Sequence, residues 1–170
     1  MISAVAATAP VARIPGGFFQ ENPNPIGRSL YCQAFGSITN AATGFTFSPS
    51  IGLDTTAGTQ ANAVTVYAAT APTASIVAQW NMQFWLTCTA FGETAGMTLQ
   101  VNGQWGQTTV ASGGLANASG LGGQFASAVT GLTPATTYYV ELFGLWSTSS
   151  ASCTTVVQQM FLWGLNLVIQ

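Results

Sequence analysis

Lysine and histidine are both absent from this 170-residue chain, and ionic side chains of any kind are scarce. Arg13, Arg28, Glu21, Asp54, Glu93 and Glu141 are the whole set, 4% of the residues against about 25% in an ordinary soluble domain. Each shortage excludes a class of function. Two arginines and a net charge of -2 do not supply the phosphate contacts of an electrostatic nucleic-acid binder. Nor is there a basic cluster for an anionic membrane surface. Without His or Lys, no ordinary base stands ready beside a Ser, Cys or Thr nucleophile. A zinc site would need Cys or carboxylate ligands, and Cys32, Cys88 and Cys153 are far apart with no CxxC pair. Calcium wants clustered carboxylates, and the acids are scattered. The glycines between 113 and 123 match neither a P-loop nor a dinucleotide fingerprint. The expectation is no enzymatic activity, no catalytic residues, no cofactor and no metal. One enzymatic route stays open, a glycosidase-type carboxylate pair, and it requires Glu93 and Glu141 to meet in a cleft.

Long apolar runs are missing too. Met160 to Ile169 falls well short of the ~20 residues of a membrane helix. Met1 to Ala12 lacks the basic and Leu-rich regions of a signal peptide.

What is present is apolar and amide-rich. Hydrophobic residues make up 48% of the chain, which argues against disorder. The polar surface must come from Thr, Ser, Asn and Gln, groups that cost little to bury once hydrogen-bonded. Such a composition suits a protein that covers much of its outside with copies of itself or with a larger assembly. The alternative is a secreted, weakly acidic monomer. The cysteine count is odd, so at least one thiol is unpaired within the chain. Cys32 and Cys88 sit in apolar strand patterns and read as small core residues. Cys153 falls in a Ser/Thr-rich turn. Free thiols fit assembly in a reducing cytoplasm, whereas a Cys32–Cys88 bridge would point to secretion.

The chain divides at about residue 27. Residues 1–27 carry Pro10, Pro15, Gly16, Gly17, Pro23, Pro25 and Gly27, and they read as an extended, irregular arm. Phe18 and Phe19 would be costly in water, so they should pack on the body or on a neighbour. Residues 28–170 read as one domain of short strands between Gly, Ser, Thr and Asn clusters. Trp80, Met82, Phe84, Leu86, Cys88 and Ala90 hold period 2 over the longest run, with Trp85 out of phase and facing outward. Tyr138, Val140 and Leu142 alternate with Tyr139, Glu141 and Phe143, so both faces of that strand need cover. Residues 106–124 read as loop. The total is eight strands with no helical stripe, the pattern of an antiparallel sandwich or barrel.

Three stretches carry a resemblance: NPIGRSLYCQAFGSITNAATGFTFSPSIGL at 24–53, WNMQFWLTCTAFGETAGMTLQVNGQW at 80–105, and YYVELFGLWSTSSASCTTVVQQMFLWGLN at 138–166. Together they resemble a jelly-roll family found in virions of tailed double-stranded DNA bacteriophages. The motifs are structural; they encode strand pairing and carry no chemistry. The resemblance implies an eight-stranded antiparallel jelly-roll sandwich with an N-terminal arm. It implies a capsid decoration (cement) protein, typically a trimer on the outer shell, with itself and the major capsid protein as partners. Such a protein is assembled in the host cytoplasm and resides on the capsid surface. A minor tail or fibre protein, with a carbohydrate-binding face built from the chain's Trp and Tyr residues, is the alternative.

The expected interface residues are Arg13, Ile14, Phe18 and Phe19 of the arm, with Phe35, Trp85 and Tyr139 of the body. Arg28 is a candidate partner for Glu141 or Glu21. Deleting residues 1–24 is expected to leave a folded body with weakened attachment.

Overall fold

A computed structural model of the chain describes residues 12–20, 25–40, 47–56, 64–65, 76–110, 121–146 and 153–165. These residues form nine strands and no helix: β1 (Ala12–Ile14), β2 (Ser29–Asn40), β3 (Phe47–Asp54), β4 (Val64–Thr65), β5 (Ile76–Ala90), β6 (Met97–Val110), β7 (Leu121–Leu132), β8 (Tyr138–Trp146) and β9 (Cys153–Leu165). All pairings are antiparallel. The strands make a four-stranded sheet, β1-β8-β3-β4, and a five-stranded sheet, β7-β6-β5-β2-β9. The body supplies eight strands, β2 to β9, and the arm adds the short β1.

Period-2 alternation sets which side chains go inside. Leu30, Cys32, Ala34 and Ile38 of β2, Trp80 to Cys88 in alternate positions of β5, and Met97, Leu99, Val101 and Trp105 of β6 are buried. Ile51 and Leu53 of β3 and Tyr138, Val140 and Leu142 of β8 join them in one hydrophobic cluster. Residues of both sheets in a single core make the fold a two-sheet sandwich.

The structure differs from the sequence reading in four places, the first being Ala90, which the alternation puts in the core series of β5 and which is exposed past a register shift between Cys88 and Ala90. Residues 106–110 and 121–124 are strand, not loop, and residues 111–120 lie outside the described residues. Gly103, read as strand, is a packing position in β6: a Cβ there would come within 2.3 Å of the Gln83 carbonyl oxygen and 2.6 Å of Phe84 Cβ. Cys153 opens β9 instead of sitting in a turn. Part of the arm, Ala12–Ile14, is a strand, paired through Arg13 with Tyr139 of β8.

The arm is locked to the body at two points. Gly17 N–H donates to the Pro134 carbonyl at 2.9 Å, and Gly16 N–H donates to Thr137 Oγ1 at 3.2 Å. Backbone approach is so close there that a Cβ on Gly16 would lie 2.2 Å from the Ala135 oxygen. Farther on, Gly27 N–H donates to Cys88 O at 2.8 Å, and Cys88 N–H donates to Arg28 O at 2.9 Å. Ile14 and Phe19, each 2% exposed, belong to the chain's own core. The expectation that a chain without residues 1–24 keeps an intact body is therefore revised, because that deletion removes two core side chains.

Candidate functional site

The six ionic residues are distributed very unevenly. None lies in any of the five strands β2, β5, β6, β7 and β9. Arg13 is on β1, Asp54 ends β3 and Glu141 is on β8. Arg28 precedes β2, and Glu93 is in the exposed β5–β6 turn. The five-stranded sheet thus presents its outer face to the surroundings with no charge of its own.

Strand register builds that face row by row. Phe161 of β9, Gln33 of β2, Gln83 of β5, Gln104 of β6 and Gln124 of β7 stand side by side across all five strands. Gln104 Nε2 donates to Gln83 Oε1 at 3.2 Å, so the amides bond to each other as well as face outward. One row over stand Tyr31, Trp85, Asn102 and Ala126; the row on the other side holds Gln159, Phe35, Asn81 and Gly106. A Cβ on Gly106 would come 2.9 Å from Asn81 Oδ1, so the glycine leaves the space that the Asn81 amide uses.

Aromatic side chains sit among the amides. Trp85 is 39% exposed and Phe161 42% exposed. Tyr31 packs against Trp85 with ring centroids 5.1 Å apart, and Phe35 lies 6.3 Å from Phe161. These are distances at which aromatic pairs attract. An open groove of about 510 Å³ runs beside Trp85, with Asn102, Gln104 and Gln124 on its walls and Gly103 and Phe125 in its lining. Trp80 and Trp105 stack at 5.3 Å on the inner side of the same sheet, both buried.

The expected interface residues fall in three places. Phe35 and Trp85 share the outer face just described. Arg13 and Tyr139 lie in the other sheet, where Arg13, Tyr139 and Asp54 form one cross-strand row. Phe18 is half-buried and packs edge-on against Phe19 at 5.0 Å, so both rings lie on the body. Arg28 places its guanidinium 4.0 Å over the Phe18 ring and donates to the Phe18 carbonyl oxygen. It ties the arm to the start of β2. Glu21 lies outside the described residues.

Glu141 is 5% exposed on β8 opposite Gly52, whereas Glu93 is exposed in a turn. The two carboxylates belong to different surroundings, one buried in a strand and the other exposed in a turn. Cys32 and Cys88 are buried free thiols. Cys32 faces Phe84 in the register, four residues from Cys88 along β5. At ~3.4 Å per residue that separation is about 14 Å, beyond the reach of a disulfide. Burial pushes the Cys32 thiol up to about 12 and raises that of Cys88 as well. Among the described residues, no three His, Cys, Asp or Glu side chains gather where a metal could bind.

The Gln row was out of reach of sequence reading. Gln33, Gln83, Gln104 and Gln124 are each out of phase with the core positions of their strands, which marks them as outward. Only the register brings them into line.

Compared with family models, with curated proteins and with solved structures, the chain matches none.

Proposed function

We propose that this chain is a structural virion protein, a capsid decoration (cement) protein that self-associates and stabilises a shell of major capsid protein, without enzymatic activity. The observation that carries the reading is the ion-free five-stranded sheet. Soluble proteins protect sheet edges with Lys, Pro or other charge. The outer strands here, β7 and β9, contain no charged residue and no proline. Phe161 is exposed on β9 itself. A neutral edge of 13 residues is suited to pairing with another chain, and an amide-rich face can be covered at small desolvation cost. A protein holding several shell subunits at once needs only modest contacts, because joint binding raises effective affinity by orders of magnitude.

We also propose that the sandwich is of jelly-roll type. The nested pairings β2–β9 and β3–β8 join the first strands of the body to its last, as rolling up a long antiparallel ribbon would do. β4 comes close to β7, the next step of such a ribbon, although its described pairing is to β3.

Sedimentation of the isolated chain tests self-association. A closed oligomer, a trimer by the resemblance, is expected, and Phe161→Lys should shift it toward monomer while leaving the fold intact. A parent chain that stays monomeric at every concentration overturns the reading. An image of the intact particle then distinguishes the capsid surface from the tail.

A further inference from the structure

We propose that the groove beside Trp85 is a binding site for a neutral oligosaccharide. The site lies on the β5–β7 part of the same outer face that the assembly reading covers, so it requires self-association to run along the β9 edge and leave that part open.

The ligand class follows from what lines the groove. Trp85 offers a flat aromatic face, 39% exposed and held by the Tyr31 ring 5.1 Å away. Beside it stand Asn102, Gln104 and Gln124, each an outward side chain on its strand. Each primary amide carries two N–H donors and one acceptor oxygen. A pyranose matches that pairing. Its ring C–H face is apolar enough to stack on indole, and its rim hydroxyls both donate and accept. The size fits as well, since about 510 Å³ lies within the range of small-ligand sites.

Electrostatics removes the competing classes. A phosphate, sulfate or carboxylate ligand would give up hydration with no cation in any strand of this sheet to meet it. A cationic ligand would find no carboxylate there. The amides are also partly set in place by the Gln104–Gln83 bond at 3.2 Å. Less ordering is then required when a ligand binds.

Titration calorimetry with the full chain tests the site. The probes are soluble oligomers of glucose, mannose, galactose and N-acetylglucosamine, with dextran sulfate as the anionic control. Binding to at least one neutral oligomer is expected, with millimolar or better affinity. Trp85→Ala should weaken it roughly tenfold or more, Gln104→Ala should weaken it less, and Tyr139→Ala on the other sheet should leave it unchanged. Circular dichroism melts of each variant separate loss of binding from loss of fold, and Trp85→Phe provides a second variant that keeps a smaller ring. The proposal is overturned if no neutral oligomer binds, if dextran sulfate binds equally well, or if Trp85→Ala alters sedimentation of the chain but not sugar binding. The last result would make Trp85 a contact between copies.

Discussion

Cys32 shows how much a single enclosed side chain can set. Its thiol is fully buried between strands and pushed from 9.0 up to about 12 by desolvation. Below pH 9 the thiol is neutral whether the chain is folded or not. Above it the unfolded chain ionises first, so stability falls with rising pH until about 12, by roughly 4 kcal/mol in total. Cys32→Ala removes this component. The difference in unfolding free energy between parent and variant should therefore shrink as pH rises through that window; parallel profiles would contradict the assignment. Gly103 is a second sensitive residue. With a carbonyl oxygen 2.3 Å from where a Cβ would stand, Gly103→Ala should cost about 2 kcal/mol or more by strain, measurable as a lower urea midpoint. Cys32 sits between strands distant in sequence, whereas Gly103 packs against the consecutive strands β5 and β7. At the residue scale the alternation identified Cys32 as core and put Gly103 in phase with Leu99 and Val101, but nothing local to Gly103 says how closely β5 approaches it.

Legibility at the element scale depended on the strength of alternation. In β5, Trp80, Met82, Phe84, Leu86 and Cys88 all point into the core, and Trp85 points out, as period 2 requires. β7 had no such signal: Gly122, Gly123, Ala126, Ser127 and Ala128 offer little apolar contrast, and the strand exists because β6 provides a ladder for it. The arm was readable in composition but not in placement. Its prolines predict extended chain, yet nothing in the sequence says that Phe19 closes the core instead of reaching a neighbour. The placement makes Phe19→Ala costly, about 3–5 kcal/mol as for other buried Phe truncations. Arg28→Ala should cost less, roughly 1–2 kcal/mol, for the lost contact with the Phe18 ring and carbonyl. Thermal melts of the two variants should rank in that order. An equal effect would mean that Arg28, not the aromatic burial, holds the arm.

For the whole molecule the deciding quantity is where charge is missing. The ionic groups in the described residues lie on the four-stranded sheet, on the arm's junction with β2 and in one turn; none lies in the strands of the five-stranded sheet. Composition revealed the shortage, but only the fold assigns it to one surface. If that surface joins copies of the chain, the association draws on apolar burial and amide hydrogen bonds. Coulombic attraction contributes little, and ions at ~0.15 M screen only what is Coulombic. Raising sodium chloride tenfold should then leave the dissociation constant within about threefold. Sulfate, which strengthens apolar burial, should tighten it, and cooling should weaken it as the hydrophobic contribution declines. Sedimentation across a salt and temperature grid measures all three. A steep loss of association with sodium chloride would place the contact on the charged side of the molecule, at Arg13, Tyr139 and Asp54, and would remove the five-stranded sheet from the assembly.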